Sequence, residues 1–263
     1  EKKKILLTGG TGFLGKRVAA YLRNMGWPVR VISRRMPPFS KRDPGVEYLA
    51  YDLSQGIPLA ELEGVSAVVH CAAETSGGKD AHKKNSVDAT WKLLEAAASA
   101  GINKFIHISS LAVLKPGGQW KAPLDEFSHV DMDNQSRGPY VWGKAQSEAS
   151  VISRGKGLGL EAKIIRPGPL VDFNSYEAPG RLGREIGSYF IVMGNRKSQM
   201  SVCDVQTVSK VVSYYLEEYH TAPSVLNLIE PVPLTRKDLI DKLCKTRRDL
   251  KVLYVPSLAV SII

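Results

Sequence analysis

Lys4-Ile5-Leu6-Leu7-Thr8-Gly9-Gly10-Thr11-Gly12-Phe13-Leu14-Gly15 is the stretch on which the fold turns. A short apolar run gives way to glycines at Gly9, Gly12 and Gly15, and Val18, Ala19 and Leu22 follow at helical spacing. The order is strand, tight turn, helix. Glycine at the first two positions lets the backbone turn sharply and approach a pyrophosphate with no Cβ in the way, while Gly15 lets helix and strand pack closely. Free N–H groups at the helix start then face phosphate oxygens. A ligand-free βα turn has the same glycines, so the flanking strand and helix carry the dinucleotide reading.

With 263 residues, 43% of them hydrophobic, the chain can bury a core as one large domain or a main domain with a small appendage. A formal charge of +10 favours anionic partners. Phosphorylated cofactors or substrates satisfy that charge, and without an aromatic-studded basic stripe nucleic acid is not expected. Cys71, Cys203 and Cys244 are odd in number and far apart, which fits reduced cytoplasmic thiols and neither a disulfide framework nor a zinc site. No metal-ligand cluster stands out, and no stretch approaches the ~18 apolar residues of a membrane span. The chain opens on a strand with no signal peptide. We therefore expect a soluble protein of the cytoplasm. Glu1 is not a methionine and Ile263 closes an apolar run, so we also expect a fragment or trimmed ends.

After the first helix, Val29 to Ile32 reads as a second strand ending at Ser33-Arg34-Arg35. In a doubly wound fold a carboxylate here takes both ribose hydroxyls of NAD, whereas arginine beside a small polar residue suits the 2′-phosphate of NADP. Ser33 stands where the acid would be, which points to NADP, with NAD as the alternative. Two arginines would also decorate a loop, as the proline- and cation-rich run from Met36 to Pro44 allows. Glu47 to Leu53 reads as a third strand closing on Asp52-Leu53, whose carboxylate can accept a bond from an adenine amino group. Ala67 to Ala73 reads as a fourth strand, apolar enough to be buried on both faces. His70 within it reads as a packed strand-end histidine. Lys79 to Ala100 is helical by periodicity, and Asn85 on it suits either the helix–sheet junction or the helix surface. Lys104 to Ser110 is a fifth strand that delivers Ser109 and Ser110 to the carboxyl edge of the sheet, where open α/β folds place ligands.

Tyr140-Val141-Trp142-Gly143-Lys144 begins thirty residues after Ser110, in a stretch to Ile152 that can be helical. A separation of four residues puts phenol and ammonium on one helix face. A free phenol, with a pKa of about 10, is a poor base at neutral pH, and a nearby cation favours its phenolate. The pair then suits proton transfer with an alcohol or carbonyl oxygen, and the serine hydroxyl suits holding that oxygen.

Thr8-Gly9-x-x-Gly12-Phe13-Leu14-Gly15, Asp52-Leu53, Ala72-Ala73, Ser109-Ser110 and Tyr140-x-x-x-Lys144 together resemble the extended short-chain dehydrogenase/reductase family, in order and spacing, over roughly residues 4 to 170. The resemblance implies an α/β fold, a Rossmann-type doubly wound parallel sheet in residues 1–170, with a small C-terminal substrate-binding lobe in residues 171–263 that is interleaved with it and truncated. It implies cofactor contacts from Gly9, Thr11, Gly12, Phe13, Leu14 and Gly15 at the turn, from Ser33, Arg34 and Arg35, from Asp52 and Leu53, and from Cys71, Ala72 and Ala73. It adds Tyr140, Lys144 and Pro167 on the nicotinamide side, and makes Ser110, Tyr140 and Lys144 the catalytic set. Ser110-Leu111-Ala112-Val113 aligns with the family's [Ser/Thr]-x-x-Val, which leaves Ser109 a supporting hydroxyl. Ala89 replaces a usual glycine, and Val171-Asp172 stands where an aromatic–glycine pair is common. Met200 to Val205 resembles a strand-to-helix join, followed by a helix over Val208 to Leu216, a strand over Ser224 to Leu228 and a helix from Thr235 to Lys245 with Thr235 as its cap. Residues 255–263 read as the start of an apolar packing helix that a longer chain would complete, with a membrane or partner contact as the second reading.

Three functions compete. The first is an NADP-dependent oxidoreductase acting on a small-molecule hydroxyl or carbonyl, with Tyr140 as acid/base. The second is a nucleotide-sugar epimerase that keeps NAD within one turnover. The third is a dinucleotide-binding module without catalysis, against which the intact Ser110, Tyr140 and Lys144 count. Leu111-Ala112 replaces the acidic pair of a sugar dehydratase, and a sugar nucleotide remains one allowed substrate. The family often forms homodimers through the helices that hold Asn85 and Tyr140.

Overall fold

The computed structural model describes residues 2–116, 123–176 and 179–255. Two compact units emerge: Glu1–Arg166 with Val208–Asn227, and Pro167–Thr207 with Leu228–Ile263.

The larger unit begins with β1 (Lys4–Thr8), α1 (Phe13–Asn24), β2 (Val29–Ser33), β3 (Val46–Ala50) and β4 (Val65–His70). Next come a single helical turn α2 (Lys79–His82), a π-helical turn (Lys83–Asp88), α3 (Ala89–Ser99), β5 (Lys104–Ile108), α4 (Pro139–Gly157) and β6 (Glu161–Pro167). The chain continues through β7 (Leu170–Val171), β8 (Gly183–Ile186), β9 (Tyr189–Met193), β10 (Gln199–Met200), β11 (Cys203–Asp204), α5 (Val205–Glu217) and β12 (Val225–Leu228). It closes with β13 (Leu234–Thr235), α6 (Arg236–Thr246) and β14 (Lys251–Val255).

Seven strands form the central sheet in the order β12-β6-β5-β4-β1-β2-β3. β1 pairs in parallel with both β2 and β4, and β2 with β3, β4 with β5 and β5 with β6 are parallel as well. Strand order therefore reverses between β1 and β4, which makes the carboxyl ends of those two strands the topological switch point. The sheet is apolar because it is covered on both faces. Ile5, Leu6 and Leu7 of β1, Val68 and Val69 of β4 and Phe105 and Ile106 of β5 are fully buried. α3 lays Leu93, Leu94 and Ala97 against Leu6, Val68 and Phe105 in one cluster. It stops at a left-handed residue, Gly101 (φ +72°), where Ile102 N–H bonds Ala97 O and Gly101 N–H bonds Ala98 O. That closure turns the chain straight into β5, and α1 and α4 end with the same bond pattern.

The helix expected from Lys79 to Ala100 is present as one helical run, Lys79 to Ser99, in which Lys83–Asp88 widens into a π turn between α2 and α3. The expected third and fourth strands end at Ala50 and His70, and after the third Asp52 leaves the sheet to cap a 3-10 turn, Leu53–Gln55.

In the smaller unit, β14, β9 and β8 form one three-stranded sheet, and β10–β13 and β11–β7 are separate pairs. Val171, Phe190, Val192, Val202, Leu239 and Leu243 share its core. α6 starts on a capping box in which the Thr235 hydroxyl and the Asp238 carboxylate each serve the other's backbone N–H. The helix start expected in residues 255–263 lies outside the described residues beyond Val255, the last residue of β14. No described helix is long and apolar enough to cross a membrane.

Candidate functional site

Gly9 turns the chain at φ +71°, a conformation side chains rarely adopt, and a Cβ there would lie 2.7 Å from Ala72 N. A Cβ on Gly15 would lie 2.1 Å from Gly9 O, so α1 can approach β1 only through glycine. Gly12 donates its N–H to Gly9 O at 3.0 Å and heads α1 with no side-chain cap and no acidic residue in the first turn. The first N–H groups of α1 carry no side-chain acceptor, and Thr11 and Gly12 are exposed beside them. This arrangement fits a pyrophosphate. Phe13 lies under the Arg17 guanidinium at 4.4 Å, and Leu14 is buried. The Thr8 hydroxyl, 2.6 Å from His70 Nδ1, also accepts from Ala72 N at 3.3 Å. It pins the exit of β4, Cys71-Ala72-Ala73, against the turn.

At the exit of β2, Ser33 donates to Arg35 O at 2.7 Å and so shapes its own turn, with Arg35 exposed. Arg34 reaches across to Glu74, Nη1 to Oε2 3.6 Å. Glu74 is held in a dense cradle: Asn85 Nδ2 donates to Oε2 at 2.8 Å, and Thr75 N, Ser76 N and Ser76 Oγ donate to Oε1. Burial alone would raise its pKa, but these donors outweigh burial and hold the carboxyl down at about 2. Asp52 accepts from Ser54 N at 2.9 Å, and that bond with the nearby cations Lys84 and Arg34 overrides burial and lowers its pKa. Leu53 packs into the core.

α4 starts at Pro139, so Tyr140 sits in its first turn and Lys144 one turn further on. The Lys144 side chain is buried and its Nζ donates to Ile108 O, the last carbonyl of β5, at 2.7 Å. Burial lowers Lys144 to about 8, against the opposing pull of Cys71 and Glu148. Burial likewise pushes the Cys71 thiol up to about 12. Ser110 lies two residues past Ile108, where its half-buried hydroxyl accepts from Ala112 N at 3.2 Å and caps a 3-10 turn, Leu111–Val113. Val113 and Leu114 pack on Ala145, which joins the serine turn to α4. The neighbouring Ser109 instead donates to Glu148 Oε2 at 2.5 Å, and Glu148 pairs with Arg166 at 2.6 Å, all three buried. The ring of Tyr140 meets His82 edge-on, centroids 6.3 Å apart. A Cβ on Gly143 would lie 3.1 Å from His82 Cβ, so the glycine of the Tyr-x-x-Gly-Lys turn admits the histidine.

The exits of β1, β2, β4 and β5 thus gather the glycine turn, Ser33, Arg34, Cys71, Ala72, Ala73, Ser110 and Lys144 along one edge of the larger unit. Pro167 closes β6 and is the first residue of the smaller unit. Glu74, His82, Glu148 and Arg166 belong to the same neighbourhood and were not singled out from the sequence. Among the described residues no group of three or more His, Cys, Asp and Glu is placed to hold a metal ion.

A parallel sheet with a glycine turn at its switch point and a tyrosine–lysine helix beside it defines a Rossmann-like, dinucleotide-binding fold of the extended short-chain dehydrogenase/reductase type. The chain belongs to the NAD dependent epimerase/dehydratase family, whose pattern matches residues 5–228. The 3 beta-hydroxysteroid dehydrogenase/Delta 5-->4-isomerase of Mycobacterium tuberculosis is 31% identical over 178 residues, 64% of this chain and 47% of its own. Vestitone reductase of Medicago sativa is 26% identical, covering 87% of this chain and 79% of its own length. Among solved structures, UDP-glucuronic acid 4-epimerase from Bacillus cereus in complex with NAD superposes with a TM-score of 0.75 at 20% identity, covering 96% of this chain and 87% of the other. At that identity the likeness speaks for the fold. The chain spans about half the length of the first curated relatives it matches.

Proposed function

We propose that the protein is an NADP-dependent oxidoreductase of the extended short-chain dehydrogenase type, acting on a hydroxyl or carbonyl of a small molecule. The observation that carries this reading is the buried Lys144 ammonium, fixed on Ile108 O at the exit of β5 and one helical turn from Tyr140. When bound, the dinucleotide supplies or takes up the hydrogen and electron pair of the reaction. Tyr140 exchanges a proton with the substrate oxygen. Lys144, charged below about pH 8, stabilises the phenolate form of Tyr140, and its burial strengthens that influence by excluding water. Ser110 holds the substrate oxygen through its hydroxyl. Ser33, Arg34 and Arg35 receive the 2′-phosphate, Asp52 receives the adenine amino group, and the smaller unit supplies substrate binding.

Incubation with NADPH and a panel of carbonyl compounds, followed at the nicotinamide absorbance band, tests the reading. Net loss of the band is expected with at least one substrate. Tyr140→Phe should lower turnover by about 10²-fold or more, the scale of general acid catalysis, and leave NADPH binding intact. Normal turnover in that variant would remove Tyr140 from the mechanism. The second reading is an epimerase with tightly held NAD, which the engagement of Arg34 by Glu74 favours. Product without net cofactor change would select it.

A further inference from the structure

Arg34 follows β2 and Glu74 follows β4, the two strands that flank β1. Their ion pair therefore joins the strands on either side of the glycine turn. The two partners are unequal. Arg34 is 63% exposed and its end can swing, whereas Glu74 is 9% exposed and fixed by Asn85, Thr75 and Ser76. The carboxylate is a fixed anion, and the guanidinium is the group that leaves when the pair opens. A phosphate on the adenosine ribose is a dianion competing for that same guanidinium.

We propose that Glu74 is a specificity-determining residue for the dinucleotide: it withholds Arg34 from a 2′-phosphate, so that NADP must displace a carboxylate from Arg34 while NAD binds with the pair intact. The inference rests on the assignment of Arg34 to the 2′-phosphate. Glu74 acts in two ways, by pairing with Arg34 and by adding a negative charge near the entering phosphate. Glu74→Gln removes both and keeps the oxygen that accepts from Thr75 and Ser76.

Equilibrium binding of NADPH and NADH, read by nicotinamide fluorescence, separates the outcomes without any substrate. Glu74→Gln should tighten NADPH by about three- to fivefold, the range an exposed ion pair can withhold, and leave NADH unchanged. On an Arg34→Ala background the same change should tighten NADPH by a smaller factor, since the competition for the guanidinium is gone and only the charge near the phosphate is removed. A Glu74→Gln variant that shifts both dinucleotides equally, shifts neither, or weakens NADPH overturns the inference. Failure of the underlying assignment looks different: Arg34→Ala would then weaken NADPH and NADH alike. Wild-type protein gives a measurement that needs no folded variant at position 74. The guanidinium ¹⁵N resonances of Arg34 should move with adenosine 2′,5′-bisphosphate and stay in place with adenosine 5′-diphosphate; equal responses to both would overturn the assignment of Arg34 to the 2′-phosphate and the inference with it.

Discussion

Gly15 faces the carbonyl of Gly9 so closely that a methyl group would sit 2.1 Å from it, and the obstacle is backbone that cannot rotate away. Gly15→Ala should therefore cost about 1–3 kcal/mol or more in a denaturation experiment. Gly12→Ala brings its Cβ to 3.3 Å from the same carbonyl, a tight but far milder contact, and should cost less stability than Gly15→Ala while weakening dinucleotide binding. The glycines, Ser110, Tyr140 and Lys144 were legible because each lies in a short motif whose spacing has a chemical purpose. Glu74 was not, because its partners Asn85 and Arg34 lie 11 residues ahead and 40 residues behind in the chain and meet only through the sheet order. Glu148 had a local signal, a carboxylate four residues after Lys144 on the same helix face. Its role depends on Arg166 from β6, which no spacing rule connects to it.

At the scale of elements, α6 rests on its cap. Thr235→Ala removes one side of the capping box and should destabilise the smaller unit by about 1 kcal/mol, visible as a lower melting temperature, with Thr235→Ser close to wild type. The alternation of strand and helix in the larger unit was readable because β1, β2 and β4 are mostly apolar and α1, α3 and α4 are each followed by a left-handed glycine, Gly26, Gly101 and Gly159. The π turn inside the helix from Lys79 to Ser99 was not, since the buried positions beside and within it, His82 and Ser86, are polar and do not mark a change of helical period. β8 was silent for a related reason: three of its four residues are exposed, so its sequence shows no inward face. β14 lies against β9 in parallel, a pairing that only the fold of the smaller unit brings about.

Across the whole molecule, acid should be the destabilising direction. His70 is buried between the hydroxyls of Thr8 and Thr90, and burial lowers its pKa to about 3. His107, its neighbour on β5 with ring centroids 5.4 Å apart, is lowered well below the ordinary value by burial, and neither of its ring nitrogens has a hydrogen-bond partner. A histidine whose folded pKa lies below its unfolded value binds fewer protons in the native state between the two. Stability is then complete above about pH 6.5 and falls as the pH drops toward the folded values. Glu74, lowered to about 2, works in the same direction below the ordinary carboxylate range. Denaturant midpoints measured from pH 7 to pH 4 should fall steadily, and His107→Phe should flatten part of that slope. A flat profile in the wild type would contradict the burial of these rings.

Lys144 has one more implication. Its ammonium has already shed most of its hydration and is anchored to a strand carbonyl before any ligand arrives. The energetic work of drying that charge was done during folding, so the reaction proposed above would inherit an electric field that need not be assembled. A lysine left on a surface would have to give up its water afresh in every catalytic cycle.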